Sequence, residues 1–215
     1  MQDLDKAMYE EFYNLTALPF QLTPDHRFFF GSDVHKRAMG HLEFGLSQGE
    51  GFIVITGEVG SGKTTLIRHL LAQHENAADF IAANVTSSKL EGDDIVRMVA
   101  QAFGVDTAEQ DKATVLRNLE SLLIENHRRG ARSVLIADEA QNLSVSALEE
   151  LRMFANFQHG HAAVLQVIMV GQPEFRSTLG MPQFDQLRQR IIASYHLGPI
   201  NELETHEYVT HRLRS

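Results

Sequence analysis

The sequence predicts an α/β fold, a parallel sheet covered on both faces by helices. Three observations carry this. Apolar runs of strand length alternate with longer stretches of helical periodicity. The first of the strand runs is apolar almost throughout, as a strand buried on both faces requires. This run, Phe52-Ile53-Val54-Ile55-Thr56, leads through a glycine-rich turn into a helix, the strand–turn–helix unit of such folds.

The totals narrow the class. A chain of 215 residues, 43% hydrophobic, suits one domain with a sizeable core. No apolar run approaches the ~20 residues of a membrane span. The start, Met1-Gln2-Asp3-Leu4-Asp5-Lys6, is too acidic for a secretory signal. Cysteine is absent, which excludes disulfides and thiolate metal sites. A soluble cytoplasmic protein is the simplest expectation. The net charge of −9 argues against a broadly basic nucleic-acid surface. The 11 histidines are dispersed and converge on no metal-ligand spacing.

Taken in order, residues 1–31 read as a lead-in segment packing near the glycine-rich turn. Residues 1–13 read as partly helical, and Pro19 and Pro24 forbid a helix over Leu18–Asp25. The run Phe28-Phe29-Phe30 can cover an adenine or simply join the core. Ser32 caps a helix whose stripe is Val34, Ala38, Met39, Leu42 and Leu46, and Gly49-Glu50-Gly51 ends it. Beyond the glycine-rich turn, Thr65 to Leu71 continue as helix. Asp79–Val85 is the second strand, followed by helices over about 93–103 and Lys112–Arg128, the latter stopped by Gly130. Ser133–Ala137 forms the third strand. Ser146 with Glu149 fits a capping box for a helix carrying Leu148, Leu151, Met153 and Phe154. Ala163–Val170 is the fourth strand and Ile192–Leu197 the fifth, and a last helix starts at Glu202. The core thus spans 32–200. No internal repeat or low-complexity linker interrupts it.

The chemistry concentrates at strand ends. Gly57-Glu58-Val59-Gly60-Ser61-Gly62-Lys63-Thr64 fits G-x-x-x-x-G-K-[ST], a phosphate-binding loop. Its glycines permit the turns, its amides make an anion nest at a helix N-terminus, Lys63 supplies a cation and Thr64 a hydroxyl for Mg²⁺. Thr65 follows in the first turn. The third strand ends in Asp138-Glu139, the form of a Walker B motif. Asp138 is then a Mg²⁺ ligand and Glu139 the base for an attacking water. Gln172, at the tip of the fourth strand, is either a γ-phosphate contact or a turn residue. Asp138-Glu139-Ala140-Gln141 also resembles a helicase string, without companion motifs.

Six segments then occur in one order: Phe12-Tyr13-Asn14-Leu15; Pro19-Phe20-Gln21-Leu22-Thr23-Pro24-Asp25; Gly51 to Glu58; Asp138-Glu139-Ala140-Gln141-Asn142-Leu143; Gly171-Gln172-Pro173-Glu174-Phe175; and Leu187-Arg188-Gln189-Arg190-Ile191. Together they resemble the ExeA/GspA-type AAA+ ATPases of bacterial secretion systems, most of all those found with exosortase (XrtA)/PEP-CTERM exopolysaccharide systems. The resemblance covers nearly the whole chain. It implies a P-loop NTPase of the AAA+ (ASCE) type, with a five-stranded parallel sheet of order 5-1-4-3-2 and a helical lid. It implies that 201–215 begins a truncated lid, whose sensor-2 arginine lies beyond residue 215. It implies Gln172 at the sensor-1 position and an arginine finger at Arg190 or Arg188, reaching a neighbouring subunit's ATP. Both arginines can instead pair with acidic neighbours such as Asp185. The implied cofactors are ATP and Mg²⁺. The implied partners are further copies of the chain and envelope export or polysaccharide machinery at the inner membrane. A DNA-binding ATPase like the transposition helpers is the alternative, and the acidic balance counts against it.

Overall fold

A computed structural model describes residues 29–74, 77–86 and 91–214. Most of the expected lead-in, through Phe28, lies outside the described residues.

Helix α1 (Asp33–Gln48) begins where expected. The Ser32 hydroxyl accepts the His35 N–H at its N-terminus, and Gly49 ends it at φ 74°, a left-handed turn that suits glycine. Its stripe of Ala38, Leu42 and Leu46 is buried. Strand β1 (Phe52–Gly57) is buried along its whole length. Helix α2 (Lys63–His74) follows, then β2 (Phe80–Thr86), α3 (Gly92–Ala102), α4 (Lys112–Arg128) and β3 (Arg132–Asp138). After a single 3₁₀ turn come α5 (Val145–Phe154), β4 (Gln166–Gly171), α6 (Pro173–Leu179), the short α7 (Asp185–Arg188), β5 (Ile191–Leu197) and α8 (Glu202–Arg214).

The five strands make one sheet in the order 5-1-4-3-2, all pairs parallel. Residues alternate between its faces. Phe52 and Val54 of β1, with Leu135, Val167 and Met169, meet Ile95, Val99, Leu119, Leu148 and Phe175 from the helices of one layer. Ile53 and Ile55, with Val134, Ile136, Ile168 and Val170, meet Leu42, Leu66 and Leu70 of α1 and α2 on the other. The run is apolar throughout because both faces are covered. Parallel strands put every C-terminal end on one edge, and that edge carries the glycine-rich turn and the two carboxylates.

Three local expectations change. The fourth strand starts at Gln166, not Ala163, because Ala162–Ala163 pairs back on Gln158–His159 in a small hairpin turning at Gly160, φ 66°. Counted with these two short strands, the edge strand is the seventh of the chain. The cap of α5 is Ser144, whose hydroxyl accepts the Ala147 N–H; the helix starts one residue after it, so Ser146 is already inside. Ser146 Oγ instead accepts the Gly92 N–H and so serves the start of α3. Met153 sits on the exposed side of α5, half in solvent.

Candidate active site

The loop between β1 and α2 curls back on itself. Gly60 and Gly62 take φ of 80° and 89°, where a side chain is strained. A Cβ on Gly57 would lie 2.7 Å from the Leu197 carbonyl. Lys63, the first residue of α2, is buried, and its Nζ donates to the carbonyls of Gly57 and Glu58 at 2.8 Å each. The ammonium therefore clasps the loop from inside. Burial pushes the Lys63 pKa below its ordinary value, while the carboxylates of Glu139, Asp138 and Glu58 pull the other way. The Ser61 hydroxyl is buried with no hydrogen-bond partner. Val59, by contrast, stands out at the loop tip, 78% exposed.

The end of β3 faces this loop. Thr64 Oγ1 donates to Asp138 Oδ2 at 3.4 Å. Two hard oxygen donors this close suit two adjacent positions around Mg²⁺. Among the described residues no cluster of three or more His, Asp or Glu can hold a metal, so a cation here would complete its shell with water or ligand oxygens. Mg²⁺ takes one or two protein ligands beside substrate phosphates, and Thr64 with Asp138 fit that donor set.

Glu139 departs from the strand. Its φ of 54° and ψ of 40° are left-handed, which is uncommon for a non-glycine residue. The chain then makes a 3₁₀ turn, Ala140–Asn142. Gln141 Nε2 donates to Glu139 Oε2, and Gln172 Nε2, from the tip of β4, donates to the same oxygen at 3.4 Å. Gln141 Oε1 in turn accepts the Gln172 N–H at 2.9 Å. Gln141 thus ties Glu139 to Gln172, a part that its place in the Asp138–Leu143 string did not reveal. The carboxylate is held by amide donors from Gln141 and Gln172.

The two arginines lie elsewhere. Both precede β5, and the Phe52 N–H bonds the Arg190 carbonyl at the start of β1. At ~3.3 Å per residue along β1 they stand roughly 20 Å from the chain's own glycine-rich loop. Arg188 donates to the Leu179 and Met181 carbonyls at 2.6 and 3.0 Å and pairs with Asp185. Arg190 is half-buried and makes one long bond, 3.4 Å, to the Ala155 carbonyl. The aromatic lead-in, where described, covers α2: Phe29 stacks on His69 with ring centroids 4.3 Å apart.

A glycine-rich loop after β1, a carboxylate pair after β3 and a polar tip on β4, carried on a 5-1-4-3-2 sheet, define a P-loop ATPase fold of the AAA+ type. The chain belongs to the AAA domain family, which it matches over residues 46–179. It is 37% identical over 211 residues to General secretion pathway protein A of Aeromonas hydrophila, covering 96% of this chain and 38% of that protein. The expected likeness to the ExeA/GspA type therefore runs along almost the whole chain. It is also 33% identical over 99 residues to the Mu-like prophage FluMu DNA transposition protein B of Haemophilus influenzae, covering 46% of this chain and 32% of that protein. The chain spans less than two-fifths of the length of either relative. Its fold is similar to Cdc6p of Pyrobaculum aerophilum, with TM-score 0.69, 15% identity and coverage of 95% of this chain and 53% of that one. It is similar to domain III of the replication initiation protein DnaA of Thermotoga maritima, with TM-score 0.59, 20% identity and coverage of 91% and 76%. Among the described residues no helix is long and apolar enough to cross a membrane.

Proposed function

We propose that this protein binds ATP with Mg²⁺ and hydrolyses it to ADP and phosphate. The observation that carries the reading is the approach of the Thr64 hydroxyl to the Asp138 carboxylate, with Glu139 adjacent. The loop amides and Lys63 bind the phosphates; Gly57, Glu58, Val59, Gly60, Ser61, Gly62 and Thr65 shape or flank that nest. Thr64 and Asp138 hold Mg²⁺, which offsets phosphate charge when bound. Glu139 accepts the proton of the attacking water, and Gln141 and Gln172 hold it in place. Gln172 stands where it can also feel the γ-phosphate. Arg190, or failing that Arg188, completes the site of a neighbouring copy as a finger in trans, so the active form is an oligomer.

The cellular role in this reading is bacterial envelope export, either exopolysaccharide with a PEP-CTERM system or a type II secretion-like assembly. Its support is the 37% identity to General secretion pathway protein A. The protein would work in the cytoplasm, peripheral to the inner membrane through its partners. A second reading, a DNA-binding transposition helper, draws on the 33% identity to the transposition protein. The net charge of −9 counts against it, and salt-dependent DNA binding would favour it.

The test of the ATPase reading is Lys63→Ala. The clasp and the phosphate cation disappear together, so ATP–Mg²⁺ affinity should fall at least a hundredfold, on the order of a lost charge-assisted contact or two. Unchanged affinity in a nucleotide titration overturns the assignment.

A further inference from the structure

His35 is a half-buried histidine that the chemistry above does not use. It lies on the first turn of α1, 26 residues before the loop it touches. Its Nε2 is 3.1 Å from the Ser61 carbonyl and its Nδ1 is 2.6 Å from the Ser32 hydroxyl. A carbonyl only accepts, so Nε2 carries the proton. Nδ1 of the neutral ring then accepts from Ser32 Oγ–H. The same Ser32 oxygen accepts the His35 N–H at 3.4 Å, so the ring is tied to its own helix cap. Phe29 meets the ring edge-on at 5.6 Å. The fit on the other side is close: a Cβ on Gly62 would lie 2.6 Å from His35 Nε2. Burial favours the neutral ring.

The helix start is itself fixed. The Asp33 N–H donates to the buried Glu204 carboxylate at 2.7 Å. Glu204 belongs to α8, where Asn201 Oδ1 accepts the Glu204 N–H at 2.8 Å. The placement of the ring therefore depends on α1 and α8 together.

The consequence for the loop is geometric. No peptide bond among the described residues is cis. In a trans peptide the C=O of Ser61 and the N–H of Gly62 point in opposite directions. A ring that holds the Ser61 carbonyl toward α1 turns the Gly62 N–H the other way, into the turn of the loop. We propose that His35 is a positioning residue for the phosphate nest: by anchoring the Ser61 carbonyl it aims the Gly62 amide at bound phosphate. The inference rests on the reading of the loop as a nucleotide site. It also accounts for glycine at position 62 beyond its φ, since any side chain there would displace the ring.

The experiment compares His35→Leu with His35→Gln in the full chain. Leucine fills the space but has no donor. Glutamine carries an N–H at the reach of Nε2. The readouts are affinities for ATP–Mg²⁺ and for inorganic pyrophosphate, with the melting temperature of the nucleotide-free protein measured alongside. One misdirected amide to a charged phosphate should weaken both ligands roughly ten- to a hundredfold in His35→Leu. His35→Gln should recover to within about threefold of wild type. Ser32→Ala, which frees the ring but keeps it, should fall between the two and decides the question if His35→Leu does not fold. Wild-type affinity in a folded His35→Leu overturns the proposal, and so does a His35→Gln protein that melts like wild type yet binds as weakly as His35→Leu. If the wild type and Lys63→Ala bind ATP equally poorly, the nucleotide reading itself fails, and the proposal with it.

Discussion

Glu139 offers the sharpest separation of chemistry from structure. The substitution Glu139→Gln keeps the length and shape of the side chain and still presents an oxygen to Gln141 and Gln172. It removes the basicity. General base catalysis contributes about 10²- to 10⁴-fold, so kcat for ATP hydrolysis should fall by that factor, or about 3–5 kcal/mol of barrier. ATP affinity should change by less than about threefold, because Glu139 is not among the phosphate-binding groups. Stability should change little: exchanging a charged acceptor for a neutral one in two half-exposed bonds costs about 1 kcal/mol. That corresponds to roughly 2–4 °C in a chain of this size.

Glu139→Gly adds a second axis to the same experiment. The left-handed backbone at φ 54° costs a non-glycine residue about 1–2 kcal/mol, which glycine does not incur. Against this stand the two lost bonds to Gln141 and Gln172 and ~0.5–1 kcal/mol from the freer unfolded chain. The glycine protein should therefore melt within a few degrees of wild type while hydrolysis is lost. Phosphate release, nucleotide titration and thermal melting measure the three quantities. Hydrolysis within tenfold of wild type in Glu139→Gln would refute the assignment of the base. Equal loss of binding and hydrolysis would make Glu139 structural.

Further outcomes are expected for the two arginines and for His35. Arg188→Ala should lower the melting temperature by several degrees, because its guanidinium holds the Leu179 and Met181 carbonyls and Asp185, whereas Arg190→Ala should leave melting and ATP affinity nearly intact and abolish hydrolysis. Mixing Arg190→Ala with Glu139→Gln subunits should restore activity; an assembled mixture that stays inactive rules out a finger in trans. Burial lowers the His35 pKa, with the Ser61 carbonyl and the Glu204 carboxylate opposing, so the stability that its neutral ring contributes is full above histidine's ordinary value of about 6.5 and is lost as pH falls through the lowered value. Melting curves of wild type should therefore drop more steeply than those of His35→Gln between about pH 7 and 5, and parallel curves would refute this.

What the sequence made legible has a common physical form. The buried strands are apolar because both faces of the sheet are covered, so β1 and β3 stand out without any knowledge of their partners. The glycine-rich loop and the Asp138-Glu139 pair are local patterns, set by the backbone turns and donor types that phosphate and cation require. The parts that were missed depend on contacts distant in sequence or on turn geometry. Ser146 matched a capping box by spacing, yet the helix chose Ser144 and left Ser146 to α3, 54 residues away. The hairpin at Gly160 displaced the start of β4 by three residues, since an apolar run does not reveal where its pairing changes.

The same distinction explains the layout of the site. The groups proposed to hold phosphate, cation and water sit at strand ends, where short motifs hold them. The groups that orient them come from far along the chain: His35 on Ser61 from 26 residues before, and Gln172 on Glu139 from 33 residues after. Orientation is where the energy of preorganisation lies, because an amide or carboxylate already aimed needs no rearrangement when charge develops. Glu204 extends this dependence to α8, fastening the start of the helix that carries His35. A movement of α8 that breaks the Asp33–Glu204 contact would loosen α1 at the end that bears the ring. The glycine-rich loop is in this way tied to the last helix of the chain by two half-buried polar contacts, with no residue of α8 touching the loop through them.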